Sequence, residues 1–352
     1  MTKAIETFNG TNERDALCAE DDDAYLESIS ALMSPEFNAI KPRLERVKSV
    51  YVSSRRDKFL AKQLRRLLEH ALTKKNGRRD DGRVLFITGE SGAGKTRAIE
   101  NLFSVEPALQ PKNTSIGTIH PVISITLSGP GTLKTLAVDI LRAAGYDASH
   151  NRQQNELWDL LPAQLRHRKV LLIHIDETQH MLKQTEADRE RKNLANALKG
   201  LMNAPDWPVS FIMSGLPRTT ELASLDEQFE RRSKFALLPD VSFPEDEDII
   251  LDIISQLAKA ADLGAEEIFE SDIPERITHA ANNRYGRIST VMTSAIHVAL
   301  TKNAKSLNRE HFIEAYFELS ETLDDPDRNP FLIDNWKHLN PGSFLYKNGV
   351  LR

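Results

Sequence analysis

Residues 84–96 read VLFITGESGAGKT, an apolar run that gives way to glycines and ends on a lysine and a threonine. The run 84–88 predicts a buried strand, and KTRAIENLF after the glycines predicts a helix. Between them, GESGAGKT fits the pattern G-x-x-x-x-G-K-[ST] in the strand-to-helix context that a phosphate-binding loop requires. The sequence therefore predicts that Gly89–Thr96 holds a nucleoside triphosphate.

The residue types in this loop suit an anionic ligand and a magnesium ion. Glycines let successive backbone N–H groups surround phosphate oxygens, and the following helix N-terminus adds partial positive charge. Lys95 is expected to reach the β- and γ-phosphates of ATP, and Thr96 to bind Mg²⁺ through its hydroxyl. The predicted nucleotide-binding set is Gly89, Glu90, Ser91, Gly92, Ala93, Gly94, Lys95, Thr96, Arg97 and Asp176.

Two acids follow the apolar run VLLIHI at 170–175. A strand ending there would deliver Asp176 to the metal, and Glu177 would polarise the water that attacks the γ-phosphate. A carboxylate in position to act as a general base favours hydrolysis of ATP to ADP and phosphate over transfer of the phosphoryl group to another acceptor. The structural alternative is a helix cap with an acid in the first turn.

Four further polar residues are candidates for a role at the nucleotide. Ser214 ends the strand SFIMS, where its hydroxyl could hold the attacking water or the γ-phosphate; the alternative is a satisfied strand-end serine. Arg231 and Arg232 end a predicted helix, from which one could reach the nucleotide of a second chain. Arg287 opens the helix GRISTVMTSAIHVAL and could contact the γ-phosphate. Each arginine could instead be a solvated surface residue.

Strands alternate with helices from 84 to about 239, and each strand is mostly apolar on both faces. This pattern predicts an α/β domain with a parallel sheet covered by helices on both faces, followed by a small all-helical lid. The predicted divisions are an acidic, loosely ordered extension (1–40), a basic helical lead-in (41–83), the α/β nucleotide-binding domain (84–243), the lid (244–320) and a candidate partner-binding tail (321–352).

The net charge of −5 is unevenly distributed along the 352 residues. Residues 1–40 hold two basic and nine acidic side chains, 2 − 9 = −7, whereas residues 41–83 hold fifteen basic and five acidic ones, 15 − 5 = +10. A partner meets this local field rather than the total. The single cysteine, Cys18, excludes a disulfide framework, and no apolar run suits a signal peptide or membrane span, so we expect a cytoplasmic protein.

The order GESGAGKT, IHIDE, IMS, an arginine pair and a GR-initiated helix resembles that of AAA+ ATPases over residues 40–320. Weaker cues, IDETQHML, GPGTLKTLAVDILRAAGY, SGLPR and LNREHFIEAY followed by NPF, resemble the TniB/TnsC group of transposition regulators. The resemblance implies a bacterial, DNA-associated protein that forms a ring or filament on double-stranded DNA with ATP. It also implies that this assembly recruits a transposase and a TniQ-like target-selection adaptor, and disassembles on hydrolysis.

DNA contacts are expected first in SGPGTLKT at 128–135, where glycines permit close approach and Thr132, Lys134 and Thr135 can reach phosphates. The alternative is an ordinary loop with a capped helix, and the basic segment 41–83 is the second candidate. Two other functions stay open: an AAA+ replication initiator or helicase loader, and a signalling ATPase with no nucleic-acid partner.

Overall fold

The computed structural model describes residues 13–114, 117–129, 131–183, 188–320, 325–340, 346–347 and 350–351. The chain forms two compact units. The sheet unit is built on Arg55–Glu90 and Lys95–Leu238, and the helical unit on the described residues of Leu17–Ser54, Ser91–Gly94 and Pro239–Arg352. The start of the predicted acidic extension and parts of the predicted tail lie outside the described residues.

From residue 13 onward the N-terminal region forms α1 (Glu13–Ala31) and α2 (Pro35–Ser49). Loose order was expected in this region, whereas α1 is helical; its alanines, leucines and glutamates are good helix formers. In α2 the Ser34 side chain caps the helix by accepting a hydrogen bond from the Phe37 N–H at 3.2 Å. The predicted helical lead-in (41–83) is divided between α2 and a second helix that begins at Arg55, because the backbone becomes extended at Val50.

The second part of the predicted lead-in forms α3 (Arg55–Leu72) and a short hairpin. Leu60, Leu64, Leu67 and Leu68 are buried on one face of α3. The hairpin pairs β1 (Lys74–Lys75) with β2 (Arg78–Arg79). Asn76 and Gly77 turn the hairpin with φ of 53° and 80°, a backbone that asparagine and glycine tolerate best.

Seven more strands follow among the described residues of the sheet unit: β3 (Val84–Thr88), β4 (Lys112–Thr114), β5 (Gly117–Ile119), β6 (Val122–Thr126), β7 (Leu172–Asp176), β8 (Ser210–Gly215) and β9 (Ser233–Leu237). Five of them form one parallel sheet in the order β6-β7-β8-β3-β9, and β4 pairs with β5 in a separate hairpin. The predicted parallel α/β sheet is therefore confirmed.

In the part of the sheet unit that the structure describes, six α-helices follow α3: α4 (Lys95–Val105), α5 (Leu133–Ala143), α6 (Gln154–His167), α7 (Gln179–Lys183), α8 (Asp188–Met202) and α9 (Glu227–Arg231). Alternate residues of β3 enter different hydrophobic clusters, Phe86 with Phe211 on one face and Leu85 with Leu64 of α3 on the other. Both faces of the central sheet are thus covered, which is why its strands are apolar throughout.

The C-terminal part of the helical unit contains α10 (Glu247–Ala260), α11 (Glu266–Phe269), α12 (Ile273–Ala280), α13 (Tyr285–Thr301) and α14 (Arg309–Ser320). A short hairpin, β10 (Tyr346–Lys347) with β11 (Val350–Leu351), lies near the C-terminus. The predicted helical region after the sheet is confirmed. Within the predicted tail, Phe331 and Trp336 are buried in this unit. No helix among the described residues is long and apolar enough to span a membrane.

Candidate nucleotide-binding site

The glycine-rich loop connects β3 to α4 by a curled backbone. Gly92 and Gly94 have φ of 82° and 81°, in the left-handed region that favours glycine. Lys95 begins α4 and is buried. Its ammonium donates hydrogen bonds to the carbonyls of Gly89 at 2.9 Å and Glu90 at 3.1 Å. The cation therefore lies within the curl of the loop, where phosphate oxygens would meet it.

Asp176 ends β7, and its carboxylate receives three donors. The Thr96 hydroxyl donates to it at 2.9 Å, the Ser214 hydroxyl at 2.5 Å and the Glu177 N–H at 2.8 Å. Burial alone would disfavour the charged form, but these hydrogen bonds outweigh it and hold the pKa of Asp176 below its ordinary value. The structure thus brings together an ionised carboxylate and the Thr96 hydroxyl, the predicted pair of metal ligands.

A chain of polar side chains, buried at His174 and Ser214 and half-buried at Ser124, extends from Asp176 to the two neighbouring strands. The His174 Nε2 lies 2.8 Å from the Ser214 hydroxyl, and its Nδ1 lies 3.1 Å from the Ser124 hydroxyl on β6. Burial lowers the pKa of His174 to about 4, so the imidazole is neutral at pH 7. Because Ser214 donates its only hydrogen to Asp176, it accepts from Nε2–H, and Ser124 donates to Nδ1.

Glu177 is held in an uncommon backbone conformation directly after β7. Its φ is 55°, a left-handed value that is rare for residues other than glycine, asparagine and aspartate. The Gln179 side-chain amide donates to the Glu177 carboxylate, and the Gln179 carbonyl accepts from the Leu216 N–H at 3.1 Å. Such conformations occur at functional sites, where surrounding contacts hold them. The half-buried Glu177 carboxylate is therefore tethered at a defined position.

The tip of the glycine-rich loop, Ser91–Gly94, groups with the helical unit. The Gly286 N–H donates to the Gly92 carbonyl at 2.8 Å, and a Cβ on Gly286 would lie only 2.7 Å from that oxygen. A Cβ on Gly92 would lie 2.9 Å from Cγ of Arg287. Arg287 lies in the first turn of α13, at the start of the helix as predicted. Its side chain packs on the loop tip.

The predicted arginine pair divides into two different environments. Arg232 caps α9, forms an ion pair with Asp81 at 2.7 Å and contacts the Asn203 side chain. Arg231 occupies the last turn of α9 and is exposed, and its side chain has no hydrogen bond or ion pair with any residue that the structure describes. Within that part of the chain, only Arg231 of the pair presents an unengaged guanidinium.

The stretch predicted to contact DNA, 128–135, runs into the capped N-terminus of α5. The Thr132 hydroxyl caps α5 by accepting from the Thr135 N–H at 3.1 Å, and the Thr135 hydroxyl donates to the Thr132 carbonyl at 2.9 Å. Lys134 is half-buried. Pro130, inside the same stretch, lies outside the described residues. The contact of these residues with DNA stays a prediction.

The residues present fit a nucleotide with Mg²⁺. The curled loop has no side chain at the two left-handed glycines, and an ionised carboxylate lies beside a hydroxyl at its far end. Hydroxyl and carboxylate oxygens are the donors that Mg²⁺ prefers. Arg97 is exposed in the first turn of α4, and Ala93 is buried.

Several site residues were missed by sequence reasoning: Ser124, His174, Thr178, Gln179 and Gly286. A signal existed for two of them, since Ser124 and His174 are polar residues inside otherwise apolar strands. Thr178 is fully buried, and its hydroxyl lies within hydrogen-bonding distance of the carbonyls of Ile175, at 2.8 Å, and Ser214, at 2.9 Å. Gln179 and Gly286 have no comparable local signal.

Residues 78–223 match the family model described as "AAA domain", which covers less than half of the chain. Together with the five-stranded parallel sheet, the loop and the helical region after it, this match defines the class: the chain has the AAA+ P-loop fold, which implies nucleotide binding.

Solved structures with this fold include Cdc6p from Pyrobaculum aerophilum, with a TM-score of 0.56 and 16% identity over 78% of this chain and 70% of that chain. ORC1 of Aeropyrum pernix in complex with DNA has a TM-score of 0.54 and 17% identity over 79% and 69%. Drosophila ORC bound to DNA has a TM-score of 0.51 and 13% identity over 81% and 66%. At these identities the likeness concerns the fold alone. No curated protein sequence matches the chain.

Proposed function

We propose that this protein is a Mg²⁺-dependent AAA+ ATPase that hydrolyses ATP to ADP and phosphate. The observation that carries the proposal is the hydrogen bond between Thr96 and Asp176, which places the two metal-ligand candidates beside the loop that contains Lys95. The metal, when bound, would neutralise charge on the β- and γ-phosphate oxygens.

Each residue of this site has a separate role in binding or hydrolysis. Lys95 binds phosphate oxygens after leaving the loop carbonyls that it contacts here, and the loop N–H groups bind the remaining phosphate charge. Glu177 accepts a proton from the attacking water, and Gln179 orients its carboxylate. Ser214 holds Asp176 in place through its hydroxyl. Contact of Ser214 itself with the water or the γ-phosphate, and of Arg287 with the γ-phosphate, are further proposals.

Arg231 is the better candidate to act on the nucleotide of a second chain. Its guanidinium is exposed and unengaged among the described residues, whereas Arg232 is held within its own chain by Asp81. A head-to-tail contact of this kind produces a closed ring or an open helical filament, depending on the rotation between subunits. ATP would then stabilise the assembly, and hydrolysis would release it.

The biological role that we propose is regulation of DNA transposition on double-stranded DNA, in the manner of the TniB/TnsC group. Its support is the resemblance carried by IDETQHML, SGLPR and LNREHFIEAY, and the fold shared with proteins solved in complex with DNA. A transposase and a TniQ-like adaptor are the proposed partners. The segment 321–352 is a proposed partner-binding site, although its aromatic residues Phe331 and Trp336 are buried within the helical unit.

Electron microscopy of the protein with duplex DNA, with and without ATP and Mg²⁺, tests this proposal. Rings or filaments on DNA only in the presence of ATP would support it. Bare DNA in both samples, from protein shown separately to bind ATP, would contradict it and favour a signalling ATPase without a nucleic-acid partner.

A second candidate is a replication initiator or helicase loader, and the observation that favours it is the fold shared with Cdc6p and ORC1. The two roles differ in their partners. An ATP-dependent complex with a replicative helicase, without stimulation of any transposase, would favour the second role.

A further inference from the structure

We infer that α3 and the β1–β2 hairpin form a surface that binds the phosphate backbone of double-stranded DNA. We call it the basic surface and define it by seven exposed cations: Lys58, Lys62, Arg65, Arg66, Lys74, Lys75 and Arg78. This inference rests on the proposed binding of duplex DNA and assigns that binding to residues other than Thr132, Lys134 and Thr135.

The cations of α3 share one face of the helix. Spacings of three and four residues from Lys58 to Lys62 to Arg65 and Arg66 keep side chains on the same side. The opposite face is anchored in the core by leucines such as Leu60 and Leu64, both fully buried. The charged face of α3 therefore points to solvent.

This face carries four cations and one acid, Glu69, so its net charge is positive. Cations separated by three or four residues on a helix repel one another, so the arrangement does not stabilise the fold. None of the four side chains forms a hydrogen bond or ion pair among the described residues, even though Glu69 follows Arg65 by four positions. Since the fold gains nothing from this arrangement, an external anion is the ligand that would stabilise it.

The β1–β2 hairpin adds positive charge to the basic surface. In its register Lys74 lies opposite Arg79 and Lys75 opposite Arg78, so both cross-strand pairs are cation against cation. Like charges directly opposite in a strand pair are destabilising. The Arg79 side chain makes contacts within the protein. Its guanidinium lies over the Trp207 ring at 4.7 Å, and its Nε donates to the Ala71 carbonyl at 2.7 Å. The other three cations are exposed.

The same contact with Ala71 places the hairpin at the end of α3. A second tether reinforces it, since the His70 ring lies 2.8 Å from the Asp81 carbonyl. From Lys58 to Arg66 the helix rises by about 12 Å. Duplex DNA carries one negative charge for about every 1.7 Å of its axis, so the helix alone spans several phosphates. Contacts of lysine and arginine with phosphates carry no direct information about base sequence, so we expect DNA binding that is independent of sequence.

The test is the salt dependence of binding to a labelled duplex of arbitrary sequence, measured by fluorescence anisotropy over a series of KCl concentrations with a non-hydrolysable ATP analogue. The test variant is Lys62→Gln/Arg65→Gln/Arg66→Gln in the full chain. The control variant, Lys112→Gln/Lys259→Gln/Lys305→Gln, removes three exposed cations located elsewhere. Binding of a fluorescent ATP analogue confirms that both variants fold.

If the basic surface binds phosphates, the slope of log K against log salt falls in magnitude by about 2 to 3 in the test variant, because each neutralised phosphate accounts for about 0.9 of that slope. The slope of the control variant is unchanged. Equal slopes in the test variant and the wild type, or equal reductions in both variants, would overturn the inference while leaving DNA binding intact. If the wild type itself does not bind the duplex, the proposed function fails instead. Should the triple variant not fold, Lys62→Gln alone is expected to lower the slope by about 0.9.

An acidic polypeptide is the competing ligand for a basic surface. If the test variant binds DNA as the wild type does but loses self-association in gel filtration, the surface serves a protein contact and the inference is wrong.

Discussion

The Thr96 hydroxyl lies 2.9 Å from the Asp176 carboxylate, although 80 residues separate the two in the chain. The parallel register accounts for this approach. β3, which leads into the loop before Thr96, and β7, which ends in Asp176, run in the same direction on either side of β8. Carboxyl ends of parallel strands share one edge of the sheet, so the loop and the acid meet there.

Lys95→Ala is expected to abolish ATP binding, because the variant removes the only cation within the curl of the loop among the described residues. Isothermal titration calorimetry with ATP and Mg²⁺ measures the loss. Lys112→Ala, an exposed lysine of the same unit, is the control and should bind as the wild type does. Retained affinity in Lys95→Ala would contradict the site.

Glu177→Gln is expected to bind ATP normally and to hydrolyse it at least ~100-fold more slowly, the range attributed to a general base. Glutamine preserves the shape of the side chain but accepts no proton. Steady-state phosphate release measures the rate, and Glu100→Gln, an exposed acid on α4, provides the control. Wild-type hydrolysis by Glu177→Gln would remove the assignment.

Ser214→Ala is expected to weaken ATP binding only when Mg²⁺ is present. Without the 2.5 Å hydrogen bond from Ser214, Asp176 loses a donor that lowers its pKa and orients its carboxylate. The buried vacancy should also reduce the free energy of unfolding by about 1–3 kcal/mol. Calorimetry with Mg²⁺ and with EDTA separates the two effects, and Ser224→Ala, whose exposed hydroxyl donates to the Glu221 carbonyl, should alter neither.

Arg231→Ala is expected to lose ATPase activity with an unchanged melting temperature, because its side chain has no hydrogen bond or ion pair in the part of its own chain that the structure describes. Arg232→Ala should instead lower stability, by up to about 1 kcal/mol for its partly exposed ion pair. Mixing Arg231→Ala with Lys95→Ala protein should restore part of the activity. In the mixture, the intact nucleotide site of an Arg231→Ala subunit can contact the intact Arg231 of a Lys95→Ala subunit. Absence of rescue would argue against action between chains.

Gly286→Ala is expected to destabilise the protein by about 1–3 kcal/mol, because the added methyl would lie 2.7 Å from the Gly92 carbonyl. ATP affinity should fall with it, since the loop tip must move. Thermal unfolding and ATP titration measure the two effects. The exposed Thr290 on the same helix supplies a control, and Thr290→Ala should leave both values near those of the wild type.

Local patterns predicted much of the sheet unit. The apolar runs before Gly89, Asp176 and Gly215 became β3, β7 and β8, because a strand buried on both faces must be apolar along its whole length. The N-terminal region was predicted less well. Acid-rich composition suggested loose order where α1 forms, and the predicted helical lead-in (41–83) gave no sign of the extended backbone at Val50 that separates α2 from α3.

The sequence by itself determined the loop, the acids that follow an apolar strand, and the residue types that suit a nucleotide, because these depend on near neighbours in the chain. Only the tertiary structure distinguished Arg231 from Arg232, since the difference is an ion pair to Asp81, 151 residues away. It also decided that His174, Ser124 and Ser214 form one hydrogen-bonded chain with Asp176. Such partners come from different strands, and the packing of the sheet, rather than any local pattern, brings them within hydrogen-bonding distance.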